Sequence, residues 1–323
     1  MNCPKISIAL LLLCTLVALV YAPTARAWGC DGHQTVALLA ERHLTPQASQ
    51  ALTDLLQNNP IDPNLPRFCG NDVADRFADA STWADDFRKL HPETGPWHFL
   101  DIPLSASTPN NLAQFCDTEG CVTKAIHDQV EILKNKTKTA TERADALRFI
   151  IHFVGDLHQP LHGTNNGDRG GNCVPVKLSN RGTFHCSTAQ KSYTPNLHGV
   201  WDRDLVVRGM EGRTPDQYAA DLDSDFASEI SDWQSAGIDP LAWAWESHQA
   251  ASETAYGALP KNIAFEPNIK VADCTQDNKI GKRMCVKHLR LSDTYKDAAV
   301  GVIEERLAQA GIRLAMILND AAK

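Results

Sequence analysis

The sequence predicts a mostly α protein, a single compact helical domain stapled by disulfides, and three observations carry that expectation. Apolar residues recur three and four apart through most of the chain, the period of a helix with one buried face. Alternating apolar and polar residues, the mark of a half-buried strand, are scarce. No internal repeat, low-complexity segment or break in composition divides residues 28–323, so one domain is expected there. With 43% apolar and 22% charged residues over 323 positions, the chain has the material for a substantial core and not the composition of a disordered one.

The first 27 residues are different in kind. Lys5 supplies a short positive region, residues 6–20 an apolar run, and Ala25-Arg26-Ala27 the small residues of a cleavage site, so residues 1–27 read as a signal peptide cut before Trp28. That run is too short for a membrane span, and no other stretch approaches about 18 uninterrupted apolar residues. Leu13 is too large to precede a lipoprotein cleavage at Cys14. An exported, soluble protein is expected, secreted or periplasmic, monomeric and without stable membrane association. Helical periodicity then runs through HQTVALLAERHL (33–44), PQASQALTDLLQN (46–58), TKAIHDQVEILKNK (123–136), ERADALRFIIHFVGDLHQ (142–159), PDQYAADLDSDFASEISDW (215–233), PLAWAWESHQAASETAY (240–256) and YKDAAVGVIEERLAQAGIRLAMILND (295–320). Loops rich in Asn, Gly and Pro fill residues 60–70 and 163–196, and VPVKL (174–178) reads as one arm of a small hairpin.

Removing Cys3 and Cys14 with the leader leaves eight of the ten cysteines, an even number in a compartment where disulfides persist. Cys116/Cys121, Cys173/Cys186 and Cys274/Cys285 are close pairs, with Cys30 and Cys69 left over, and four bridges are expected. Short spacing is only a hint, since eight cysteines allow on the order of a hundred pairings. A cysteine-ligated zinc is the competing reading, but no C-x-x-C occurs. The formal charge of −8 becomes −10 once Lys5 and Arg26 leave with an otherwise uncharged leader. A basic surface is therefore not what would attract a nucleic acid.

The segment IHFVGDLHQPLH (151–162) crowds His152, Asp156, His158 and His162 into an apolar stretch. His152 and Asp156, four apart on a helix, leave the same face and suit one metal ion; Pro160 should end the helix near Gln159 and place His162 in the following turn. The pattern recurs. His198 and Asp202 are four apart in NLHGVWDRDL, Asp85 and Asp86 stand beside Arg88 in STWADDFR, His98 sits in PWHFLDIP and His33 in WGCDGH. Imidazole and carboxylate without thiolate suit zinc in a partly open, catalytic site. Each residue also has a plain reading: Asp85 as a helix cap, His98 as a loop residue, Asp202 as the ion-pair partner of Arg203 or Arg208, Arg88 as the partner of Asp86, Trp28 as a core plug.

Trp28 with His33, WADDFR, WHFLDIP, HFVGDLHQPLH, DRGGN, NLHGVWD and WAWES together resemble, in order and along nearly all of residues 28–323, the S-one/P-one family of three-zinc nucleases, which includes mung-bean-type nuclease. The resemblance implies a helical fold of the zinc phospholipase C type and hydrolysis of single-stranded DNA and RNA to 5′-phosphorylated products, with 3′-nucleotidase activity. It implies three zinc ions per chain. Asp85, His98, His152 and Asp156 would hold one; Asp156 would bridge to a second held by His33 and the amine and carbonyl of Trp28; His162, His198 and Asp202 would hold the third. His158 matches no metal position. Phe99 matches the family's base-stacking residue and Asp101 its base-edge acceptor, although a core Phe after a ligand His is the alternative.

The chemistry follows from such a site. Two zincs sharing a carboxylate, about 3.5–4 Å apart, lower the pKa of a shared water from 15.7 toward about 7. Asp85 would orient that water or take its proton, the third zinc would bind the leaving 3′-oxygen, and Arg88 would brace the phosphate. The metal charge would replace the missing basic patch, and single-strand preference would follow from a base leaving the stack. Two rivals are a zinc phospholipase C, whose pattern has Glu where Asp202 stands, and a non-catalytic exported zinc-binding protein. Asn135, in NKT, is a glycosylation sequon for a host that glycosylates exported proteins.

Overall fold

A computed structural model describes residues 28–69, 75–179, 195–259, 274 and 289–323. Two long helices position the site: α6 (Ala140–His158) and α12 (Asp293–Ala321), numbered in chain order among the described residues. The first begins in a capping box, where Thr139 accepts from the Glu142 amide and Glu142 reaches back to the Thr139 amide, and it stops at Gln159 because Pro160 follows. Every residue from 146 to 158 is buried, so this helix is the centre of the molecule and not a surface helix. Around it pack α1 (Cys30–Arg42), α2 (Pro46–Asn58), α3 (Arg76–Ala80), α4 (Trp83–Phe87), α5 (Val122–Lys134) and α11 (Pro240–Ala250). The C-terminal helix α12 closes the bundle against α1 and α6, and α9 (Pro215–Asp225) lies on α1. No described helix is long and apolar enough to cross a membrane.

The predicted class holds, and each periodic stretch contains helix. Tertiary context adjusts the boundaries. Residues 215–233 divide into α9 and α10 (Ile230–Ser235), and residues 240–256 end in a π-helical turn over Ala251–Ala255. Helix also occupies residues 197–210, where no periodic stretch was assigned: α7 (Leu197–Gly199), a π turn over Val200–Asp204, then α8 (Leu205–Met210). The expected hairpin arm has two partners. Val176–Lys177 (β1) pairs in parallel with the distant Leu289–Arg290 (β2), and residues 174–176 also bridge antiparallel to residues 195–197, where the Val176 amide donates to the Pro195 carbonyl (3.1 Å) and the Leu197 amide to the Val174 carbonyl (2.8 Å).

Cys116 and Cys121 are bonded as their spacing suggested, and Cys30 bonds Cys69. The suggested pairing of Cys173 with Cys186 and of Cys274 with Cys285 is overturned, because Cys173 bonds Cys274 across 101 residues. Nearness in sequence eases ring closure, but the fold decides which Cβ atoms meet. Cys186 and Cys285, like residues 1–27, lie outside the described residues.

His158 proves to be a core hub. Its Nδ1 donates to the Val154 carbonyl (2.8 Å) and its Nε2 accepts from Arg313 (3.0 Å), while Arg313 and Arg306 of α12 both bind Glu246 of α11. Burial and then the two guanidinium groups hold its pKa well below the ordinary range, so it is a neutral imidazole tying three helices together.

On α1, burial, Asp75 and Asp216 raise the Glu41 carboxyl to about 8. The folded chain thus holds a proton there that an unfolded chain releases above about 4.5. This group's contribution to stability is full below that value and is lost as pH rises through about 8. Glu41→Gln, which cannot ionise, is expected to melt about 2–4 °C above the parent at pH 8.5 and with it at pH 4.5. Equal melting temperatures at both pH values would show that Glu41 is not held in its neutral form.

Candidate metal centre

Two stretches remote in sequence are stitched together to form the site. The Leu100 amide donates to the His162 carbonyl (2.8 Å), the Asn165 amide to Ile102 (2.8 Å) and the Leu104 amide to Asn165 (2.9 Å), so residues 98–104 run beside residues 162–165. His98, closing the 3₁₀ turn Pro92–His98, thereby turns inward toward α6. Phe99, next in the chain, points the other way and is 37% exposed, which removes the core reading for it; Asp101 is half-buried. From α4, Asp85 points to the same place. It does not cap that helix, since Thr82 is the N-cap residue.

The outcome is one buried cluster around Asp156. Its Oδ2 lies 2.8 Å from His98 Nδ1 and 3.2 Å from His152 Nε2, and its Oδ1 lies 3.3 Å from His33 Nε2. Asp85 Oδ1 stands 4.0 Å from the nearer nitrogens of both His98 and His152. The His33 ring stacks on that of His152 at 4.1 Å. Gly155 permits this approach, because a Cβ there would lie 2.8 Å from His33 Nδ1. The π turn helps bring the second cluster together: His162 Nε2 and His198 Nε2 are 3.1 Å apart, with Asp202 Oδ2 3.4 Å from the latter. Three groups of side chains could thus each hold a metal ion: His33, His152 and Asp156; Asp85, His98 and His152; His162, His198 and Asp202.

The donor chemistry fits a cation in each. His162 Nδ1 donates to the His98 carbonyl and His198 Nδ1 to the Gly170 carbonyl, both at 2.6 Å, so the two Nε2 lone pairs face one another with no proton between them. His152 Nδ1 likewise donates to the Ser81 carbonyl (2.7 Å), aiming its Nε2 lone pair at the cluster. Asp156 Oδ1 and His33 Nε2, which face each other at 3.3 Å, are buried without a hydrogen-bond partner. Such groups cost free energy unless something positive satisfies them.

Electrostatics point the same way at His33, His98 and His198, whereas at His152 burial is outweighed by the charges of Asp156 and Asp85 and the pKa is raised. Burial, then the neighbouring His152, lowers His33 to about 4, and burial, then Arg88, lowers His98 to about 4. Burial, then His162, takes His198 to about 3. These imidazoles are neutral near neutral pH, the form in which a ring nitrogen can bind a metal. Burial alone would raise Asp85, but Arg88, His152 and His98 outweigh it and bring it to about 2; the three histidines similarly hold Asp156 well below the usual range. Asp202 goes the other way. Burial, helped by the charges of Asp85 and Asp156, pushes it well above the ordinary value despite a 2.6 Å hydrogen bond from Gln159 Nε2 and the opposing charge of Arg88.

The plain readings of the neighbouring charges are settled by partners. Arg88 pairs with Asp85 (3.0 Å) and not with Asp86, which is taken by Arg67 and Lys89. Arg203 pairs with Asp204 and Arg208 with Asp297, leaving Asp202 to its cluster. Trp28 is indeed buried in the core, yet its neighbour's backbone adjoins the site: the Gly29 amide donates to the Asp202 carbonyl (2.6 Å). Sequence reasoning missed Gln159, which steers Asp202, and Asp168, which accepts from the Gly171 amide (2.9 Å) and organises the loop presenting the Gly170 carbonyl. Only the Gly170-Gly171 pair signalled a tight turn there.

Fold and site together define a helical scaffold whose buried histidines and carboxylates converge on candidate sites for several cations. The comparison with known proteins is specific. A model of the S1/P1 nuclease family matches residues 28–323, and the chain belongs to that family, whose members are hydrolases acting on ester bonds. It is similar to Endonuclease 2 of Arabidopsis thaliana (26% identical, 96% of this chain and 95% of the relative), to Nuclease P1 of Penicillium citrinum (27%, 91% and 97%) and to Nuclease S1 of Aspergillus oryzae (26%, 96% and 96%).

Proposed function

We propose that this protein is an exported, zinc-dependent endonuclease that hydrolyses single-stranded DNA and RNA to 5′-phosphorylated products and also removes 3′-phosphates from nucleotides. The observation that carries the reading is the convergence of proton-free donor atoms on three adjacent sites in a chain of this family. Asp85, His98, His152 and Asp156 would hold one Zn²⁺, His33 and Trp28 with Asp156 a second, and His162, His198 and Asp202 a third. Residues 1–27 would be the signal peptide and residues 28–323 the mature, monomeric nuclease, secreted or periplasmic.

Bound zinc supplies Lewis acidity and a water that deprotonates near neutral pH. The residues do the rest. Asp85, kept ionised by Arg88 and its histidine neighbours, accepts a proton from the attacking water or orients it. Arg88, 3.0 Å from Asp85, braces the phosphate oxygens as charge builds on them. The exposed ring of Phe99 stacks on an unpaired base and Asp101 accepts from its edge, so a strand must offer a base outside the duplex stack.

Zinc per chain by elemental analysis, together with the ends formed from a single-stranded oligonucleotide and from its duplex, tests the reading. About three zincs and 5′-phosphorylated fragments from the single strand are expected. Release of phosphocholine from a phospholipid with no nucleotide products would favour the phospholipase instead. Phe99→Ala is expected to weaken single-strand binding by about 1–3 kcal/mol with little change in turnover at saturation. Unchanged substrate affinity in that variant rules out the stacking role.

A further inference from the structure

Every residue from 146 to 176 is buried except one, Arg169, which is exposed in the middle of the loop that borders the third candidate metal group. Its backbone is left-handed, with φ +60°. A non-glycine residue holds that conformation only where its surroundings enforce it. Among the described residues the other two are Glu211, which ends a helix as left-handed residues ordinarily do, and Asn111, whose short amide side chain tolerates that conformation.

At Arg169 the enforcement is elaborate. The buried Asp168 accepts from the Gly171 amide (2.9 Å) and from the Tyr256 hydroxyl (2.9 and 3.0 Å), and its carbonyl accepts from the Cys173 amide (3.0 Å). The Arg169 carbonyl accepts from the Asn172 side chain (2.7 Å), and Cys173 is bonded to Cys274. On its other side, the Gly170 carbonyl is the group that orients His198 at 2.6 Å. Arg169 is thus one peptide away from a candidate ligand's support. No carboxylate pairs with its guanidinium among the described residues. An unmatched cation, rigidly presented beside a phosphoester site on a protein of net charge −8, is suited to an anion brought by the substrate.

We propose that Arg169 binds a non-scissile phosphate of the single-stranded substrate, on the side of the site formed by His162, His198 and Asp202. This rests on the nuclease reading above. It makes the enzyme prefer chains over the shortest substrates, because a dinucleoside monophosphate has only the phosphate that is cut.

The test compares the full mature protein with Arg169→Ala, Arg169→Lys, Arg169→Gly and, as a surface control of equal charge loss, Arg208→Ala. Kinetics on a ten-nucleotide single strand and on a dinucleoside monophosphate are followed across salt concentrations, with zinc content and melting temperature measured in parallel. R169A is expected to raise KM on the decamer about tenfold, more than on the dinucleotide, and to flatten the slope of log kcat/KM against log salt by about 0.7, the value of one phosphate contact on a single strand. R169K keeps most of that slope and R208A leaves it unaltered. R169G shares the KM defect yet melts about 1–2 °C higher, because glycine accepts the left-handed backbone, an outcome that loss of structure would not produce. A parent enzyme that cuts the decamer alongside an R169A with parental KM and salt slope overturns the inference and leaves the nuclease reading intact. A collapse of kcat with loss of one zinc in R169A also overturns it, by making Arg169 a prop for His198. A zinc-loaded parent that cuts neither substrate overturns both.

Discussion

Mature protein carrying one extra residue before Trp28, a retained Met for instance, is expected to bind about one zinc fewer than correctly cleaved protein and to lose most of its nuclease activity. The reason is chemical. A terminal amine and its carbonyl oxygen chelate a metal in a five-membered ring, whereas an upstream peptide bond converts the amine to an amide without an available lone pair. Residues 28–29 adjoin both clusters: the Gly29 amide reaches the Asp202 carbonyl at 2.6 Å, and the Trp28 side chain and the His33 ring both pack against Gly155. Cys30, bonded to Cys69, and His33, whose amide donates to the Gly29 carbonyl (3.1 Å), hold the segment in place. If so, removal of the leader completes the active site and the precursor is inert. Equal zinc content and equal rate in the extended and cleaved forms would show that the terminus is not a ligand.

His198→Ala or Asp202→Ala is expected to remove one zinc per chain and to reduce turnover at least about a hundredfold, with the helical content unchanged. His162, His198 and Asp202 form a minimal three-ligand set, so the loss of one leaves too few donors to retain the ion. The effect should fall on kcat, since the leaving-group oxygen is what this ion would stabilise. Far-ultraviolet circular dichroism and elemental analysis separate the outcomes. Three zincs retained, or turnover unaltered, would remove these residues from the metal centre.

Much of the site was legible in the chain because its ligands come in helical pairs. His152 with Asp156, and His198 with Asp202, announce themselves at a spacing of four, and Pro160 marks where the helix gives way to the turn bearing His162. His158, in the same motif, shows the limit of that signal. It has the same composition around it, yet two arginines from α12, some 150 residues onward, claim it for the core. Likewise nothing near Asp86 reveals that Arg67 occupies it, leaving Arg88 to Asp85.

The sequence by itself determined the helical class, the inventory of donor groups and their local pairing, since these depend on periodicity, capping and residue chemistry within a few positions of each other. Tertiary structure alone decided which pairs share a centre. Asp156 meets His33, from 123 positions away, because a glycine at 155 lets two helices close. His98 faces inward and Phe99 outward because residues 98–104 are bonded to the strand-like segment after His162. Cys173 joins Cys274, and β1 joins β2, for the same reason: contacts between distant segments are fixed by how the helices pack, a condition that no local window of residues contains. The carbonyls of Ser81, His98 and Gly170, which orient the imidazoles, belong to the backbone, and side-chain identity cannot reveal where a backbone carbonyl will point.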